Sequence, residues 1–310
     1  MAADYCAGDA GGSKMAIGAQ QSAISFQSTS STMMLRAVKQ VRAAFSMLSP
    51  DEILRHAKRP LHIGLVADSS AGYVELEDFL IPAGLSESAH AGIMQQIHRA
   101  SDPGVPDKVD VILYEPGIPC PQGAVSFRRG EAELTVSEIL REKADLALPL
   151  ARQFPIFRKT MVDHLVDTVA RENALFAIAT ALPNVVPTLI ELPWTMGEFA
   201  SDTLFLTANQ VRMAFQIAAA YGAEAGFAAQ KFEILTLAGG AFGWRALARE
   251  LVSHIPLGGG LIPKGAIAYA GTFVAGKGLE LLHQRNGSLT RQERRELYRE
   301  GLTRGKALVG

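Results

Sequence analysis

The sequence predicts an α/β plus all-α protein, a small parallel-sheet layer followed by an apolar helical domain. Three observations carry that expectation. Between Pro60 and about Leu150, short apolar runs alternate with segments of helical spacing. The first of these runs, Leu61 to Ala67, ends in a loop of small residues. Beyond Phe157, long stretches rich in Ala, Leu, Ile, Val and Gly carry few charges. With 310 residues there is chain enough for two cores, since single domains commonly run about 100–200 residues.

Taken in order, residues 1–32 are rich in Ala, Gly, Ser and Gln and read as a disordered leader with little to bury. Met15 to Ile24 is broken by Gly18, Gln20 and Gln21, so it does not read as the apolar stretch of a signal peptide. Residues 33–59 read as a helical lead-in. Met34, Val38, Val41 and Phe45 share one helical face, and Ser49-Pro50-Asp51-Glu52 marks a second helix start with a capping serine and a first-turn proline. Residues 60–157 form the α/β layer. LHIGLVA and VDVILYEPGI are its strands, VELEDFLI has helical spacing, Thr135-Val136-Ser137-Glu138 reads as a capping box opening SEILREKA, and Asp145 to Leu150 is expected as a third strand. Residues 158–285 form the apolar helical domain, with helices expected within 173–190, 203–221, 232–251 and 255–282. In residues 286–310, Thr290-Arg291-Gln292-Glu293 caps a helix rich in Arg and Glu, which reads as a solvated face or a docking helix.

Charge and cysteine content exclude several classes. Lys plus Arg number 30 against 31 for Asp plus Glu, so no overall field draws the chain to nucleic acid. Cys6 and Cys120 lie far apart, which supports neither a disulfide framework nor a cysteine-rich metal site and suits a reducing, cytoplasmic setting.

The segment IGLVADSSAGYV, Ile63 to Val74, holds the place of a phosphate-binding loop. On the pattern G-x-x-x-x-G-K-[ST], Ala67 stands for the first glycine, Gly72 for the second, Tyr73 for the lysine and Val74 for the hydroxyl residue. The spacing survives while the ammonium and the Mg²⁺-binding hydroxyl are lost. The second strand ends in LYEPGI, which resembles the metal-side strand of Era-like GTPases. That strand typically carries aspartate and then Thr-Pro-Gly; here Pro116 and Gly117 match, Tyr114 takes the aspartate position, and Glu115 follows it. No Asn-Lys-x-Asp run for guanine recognition is present. The resemblance implies a pseudo-GTPase, a P-loop-like layer without nucleotide chemistry. An unrelated small Rossmann-like layer is the competing reading.

Downstream, Asn209-Gln210, Arg212-Met213 and Tyr221-Gly222, within a layout of apolar helices, resemble the domain of unknown function that follows the GTPase domain in Era-like and YcjF-like bacterial proteins. That resemblance implies no known reaction. Glu191, Glu198, Asp202, Arg212, Arg245, Arg249 and Lys264 lie in or beside apolar segments, where an unpaired charge is costly. With Asn209, they are expected to form an internal polar network that fixes helix register, or else a polar pocket for a ligand. Pro183 and Pro187 interrupt the longest uncharged run, Asn173 to Ile190, arguing against an isolated membrane span. Gly222-x-x-x-Gly226 and Gly239-x-x-x-Gly243 permit close helix approach in water or in lipid.

Other chemistry is sparse. The histidines show no metal-ligand spacing, although His90 and His98 are expected to share a helix with Met94 between them. Gly258-Gly259-Gly260 reads as a link between helices, and Ser69 and Ser70 lack a nucleophile elbow. The expected protein is therefore non-catalytic, without cofactor or resident metal. Its helical domain would contact a protein partner or a second copy, with peripheral contact at the inner membrane as the rival. The alternative is an atypical nucleotide binder that uses only backbone donors of the Ala67 to Gly72 loop and the dipole of the following helix.

Overall fold

The computed structural model describes residues 48–180, 202–231, 233 and 261–309. The helix expected around Met34 to Phe45, most of 232–251, Gly239, Gly243 and the Gly258-Gly260 link lie outside these residues.

Helix α1 (Pro50–Ala57) follows Ser49 with proline at its start and Asp51 and Glu52 in its first turn. The Ser49 side chain makes no cap bond; its carbonyl instead accepts from the N–H groups of Glu52 and Ile53. Strand β1 (Ile63–Val66) leads into α2 (Ser70–Leu80), α3 (Glu87–Met94), β2 (Ile97–Arg99), β3 (Val111–Tyr114) and β4 (Val125–Ser126). These strands form one parallel sheet in the order β2-β1-β3-β4, with Ile63 aligned to both Ile97 and Val111. Ile63, Leu65, Ile97, Val111, Leu113 and Val125 are buried; their period of two puts the apolar set of each strand on one face. His62, His98, Ile112 and Tyr114 alternate with them and are half-buried.

Two local expectations change here. His98 does not share a helix with His90: α3 ends at Met94, and Ile97 carries His98 into the sheet. The Thr135 capping box is not made either. Helix α4 (Ala132–Glu142) starts earlier, placing Thr135 inside it, where the hydroxyl accepts from the Arg128 N–H at 3.0 Å.

The expected third strand is a correction as well. Residues Ala144–Leu146 form a 3₁₀ turn and Ala147–Gln153 form α5. Leu146, Leu148, Pro149, Leu150 and Ala151 are all buried, and a short continuous apolar run has no period that separates helix from strand. Pro149 is tolerated in the first turn of a helix but could not donate to a ladder.

After a second 3₁₀ turn, Pro155–Phe157, come α6 (Arg158–Ala179), α7 (Asp202–Ala220), α8 (Leu261–Arg285) and α9 (Arg291–Val309). The sheet and these helices share a continuous apolar core, from Leu61 and Leu65 through Phe154 and Phe157 to Val166, Phe215 and Tyr269. Helix α8 lies along both α6 and α9. Lys277 on α8 pairs with Asp163 on α6 and with Glu280, itself buried. Helix α9 opens with a working capping box: Thr290 N–H donates to Glu293 Oε2 at 2.8 Å, and Glu293 N–H donates to Thr290 Oγ1 at 3.2 Å. Its Gly301 and Gly305 face Ala270 and Ala266 of α8; an added Cβ would stand 2.9 Å and 2.8 Å from those Cα atoms.

Gly222 and Gly226 do not form a helix-contact stripe. Gly222, at φ +83°, closes the C-terminus of α7 by donating to the Ala219 carbonyl. Gly226 lies in the loop beyond and donates to Gln230. Arg152 of α5 completes this helix end, its guanidinium donating to the carbonyls of Ala219, Gly222 and Ala223. Among the described residues, no helix is long and apolar enough to cross a membrane.

Candidate functional site

In a parallel sheet with this strand order, ligands bind at the carboxyl ends of the strands where the chain reverses direction, between β1 and β3. The segment Ala67 to Val74 lies there. Ala67 leaves β1, Ser69 caps α2 by accepting from the Gly72 N–H at 3.0 Å, and the Ser69 carbonyl accepts from the Tyr73 N–H. Gly72, Tyr73 and Val74 occupy the first turns of α2, which begins at Ser70, so the loop between β1 and the helix spans only Ala67 to Ser69.

Neither Tyr73 nor Val74 replaces the missing groups. Tyr73 is buried, its ring lying 5.3 Å beneath the Arg99 guanidinium, which donates to both Glu77 carboxylate oxygens at 2.7 and 2.9 Å. Val74 points to solvent, 49% exposed.

Glu115 fills the space between the strand ends. Its N–H donates to the Val66 carbonyl at 2.8 Å, continuing the β1–β3 ladder, while Gly117 at φ +96° turns the chain away. The Glu115 side chain reaches back to the start of α2. There Oε2 accepts from the Asp68 N–H at 3.0 Å, and the carboxylate lies so close to Gly72 that an added Cβ would stand 2.3 Å from it. A carboxylate in this place is favoured by the partial positive charge of the helix N-terminus.

Arg129, beyond β4, donates to Glu115 Oε1 at 3.1 Å and to both oxygens of Glu75 on α2 at 2.8 and 2.9 Å. The hydrogen bond from Arg129 holds the Glu75 carboxyl below its usual range, and Glu75 in turn raises the guanidinium. One cation and two carboxylates leave this cluster with net negative charge, the opposite of what a phosphate site needs.

The second group of predicted residues is only partly described. Glu191, Glu198 and Arg245 lie outside the described residues, as does the side chain of Asp202 at the start of α7. Asn209 is buried in a polar cluster joining three helices. Its amide donates to Asn173 Oδ1 on α6 at 3.0 Å, Asn173 donates to Thr272 Oγ1 on α8 at 2.9 Å, and Gln210 donates to the same hydroxyl at 3.1 Å. Arg212, one turn of α7 away from Asn209, acts electrostatically on Glu172, whose carboxyl is pushed up by burial and drawn back by that charge. Asn173 and Thr272 carry no charge and so stand outside the polar network expected from the charged residues. The available signal was an uncharged amide and a hydroxyl within otherwise apolar helical runs.

Fold and site together define a small parallel α/β layer joined to a helical region, with an acidic residue lodged at the customary ligand position. No protein-family model, curated protein or solved structure matches the chain.

Proposed function

We propose that this chain is a non-catalytic interaction protein. In this reading its α/β part is a vestigial, P-loop-like layer of Era-like GTPase descent, closed by its own Glu115. The apolar helical part contacts a protein partner or a second copy of the chain, in the cytoplasm or peripherally at the inner membrane.

The observation that carries the reading is the Glu115 carboxylate on Gly72 and the Asp68 N–H. A phosphate brought to the start of α2 would have to displace a carboxylate held there by a backbone donor and Arg129. It would then find Tyr73 and Val74 where a working loop offers ammonium and hydroxyl. Phosphoryl transfer rests on positioned positive charge, and this arrangement places negative charge there instead.

Phosphate release from GTP and ATP, measured with magnesium, tests the reading. The expected result is no release above the buffer blank. Turnover that Glu115→Ala or Ser69→Ala abolishes would overturn it.

A further inference from the structure

We propose that His62 and His98 form a two-imidazole chelate for a divalent transition-metal ion of the Ni²⁺ and Cu²⁺ type. His62 stands just before β1, and His98 lies on β2 in register with Gly64. Their side chains therefore share the half-buried face of the sheet, opposite the face that carries Ile63, Leu65 and Ile97. His62 Nδ1 and His98 Nε2 lie 3.0 Å apart, with the rings tilted by 43°.

That separation matches a shared metal. Two nitrogens each bound about 2.0–2.1 Å from one ion are about 2.9 Å apart at right-angled positions and about 3.3 Å apart at tetrahedral ones. A separation of 3.0 Å falls within that range, and in the Irving–Williams order Ni²⁺ and Cu²⁺ bind nitrogen ligands more tightly than the earlier first-row ions.

Both ligands sit on fixed backbone. The His62 N–H donates to Asp110 Oδ2 at 3.0 Å, and Asp110 is held by Arg59 at 2.9 Å. His98 belongs to the β1–β2 ladder, and Asp102 lies near enough to act on it electrostatically. In the metal-free protein one imidazole donates to the other. On binding, the donating ring shifts its proton to its second nitrogen through solvent, so two lone pairs face the ion and no net proton leaves the pair. No group of three or more His, Cys, Asp or Glu side chains able to hold a metal occurs among the described residues. Water supplies the remaining ligands in this proposal.

The test is calorimetric titration of the full chain with NiCl₂ and with CuSO₄ in a non-chelating buffer. One ion should bind per chain, at least tenfold more weakly in His62→Gln and in His98→Gln, and unchanged in His90→Gln. Because a variant can perturb the sheet, histidine-labelled wild-type protein is also examined by long-range ¹H–¹⁵N correlation. Substoichiometric Cu²⁺ should broaden the ring signals of His62 and His98 before those of any other histidine. Absence of binding, binding that survives both substitutions, or earlier broadening at other histidines overturns the proposal.

Discussion

The carboxylate of Glu115 rests against Cα of Gly72, where a methyl group would stand 2.3 Å from Oε2. Gly72 lies within a helix and its φ is not positive, so its missing side chain serves this contact and not backbone freedom. Alanine in a helix interior is favoured over glycine by about 1 kcal/mol, while a hydrogen bond to a charged group contributes about 1.5–3 kcal/mol. Gly72→Ala is therefore expected to destabilise the wild-type chain by about 1 kcal/mol, and to stabilise the Glu115→Ala chain by a similar amount. Urea denaturation of the four proteins reads the reversal of sign. Equal effects in both backgrounds would refute the role assigned to Gly72.

Asn173 receives the Asn209 amide and donates to Thr272 in a buried setting. Asn173→Ala leaves a buried donor without its acceptor and opens a small void, so a loss of roughly 2–4 kcal/mol is expected. Leu175→Ala, two residues along α6 and 42% exposed, should cost about 1 kcal/mol or less. Chemical denaturation of the two variants side by side checks the contrast.

Helices α8 and α9 approach so closely that Gly305 leaves no room before Ala266 backbone atoms. The neighbour here is main chain, which cannot swing aside as a carboxylate can. Gly305→Ala should destabilise by about 1–3 kcal/mol despite the gain in helix propensity. At Gly92 of α3 nothing lies within 4 Å of an added Cβ, and alanine there should stabilise by up to about 1 kcal/mol. Thermal unfolding of both variants gives the comparison.

The Tyr269 phenol is buried and donates to Asp167. Burial, followed by the Asp167 hydrogen bond and charge, pushes its pKa up to about 12. A pKa raised in the folded state means that this group's stabilising contribution is full below the unfolded value near 10 and is lost as pH rises through 12. The shift corresponds to roughly 2–3 kcal/mol. Stability measured from pH 9 upward should fall more steeply in the wild type than in Tyr269→Phe.

Much of the architecture was legible in residues that carry strong local signals. Leu61 to Ala67 and the run from Val109 to Ile118 announced β1 and β3, and the Thr290–Glu293 box is made as read. Strands β2 and β4 were not legible, because Ile97–Arg99 and Val125–Ser126 are too short to show a period and their pairing comes from neighbours far along the chain. Asp145 to Leu150 misled for a related reason, since uniform burial erases the difference between helix and strand. At the site, a helix after the first strand followed from the apolar spacing of VELEDFLI, although α2 begins earlier, at Ser70. The use of Glu115 did not, because contact between residues 72 and 115 is set by strand order, which no local pattern encodes. The α8–α9 approach through Gly301 and Gly305 was hidden by the charged character of α9, whose arginines and glutamates read as solvated.

Calorimetric titration of the intact chain with GTP, GDP and ATP, each with and without magnesium, tests most directly whether Glu115 has replaced a bound phosphate. The account predicts no heat of binding in any of the six titrations. Micromolar, magnesium-dependent binding to the wild-type protein would contradict it.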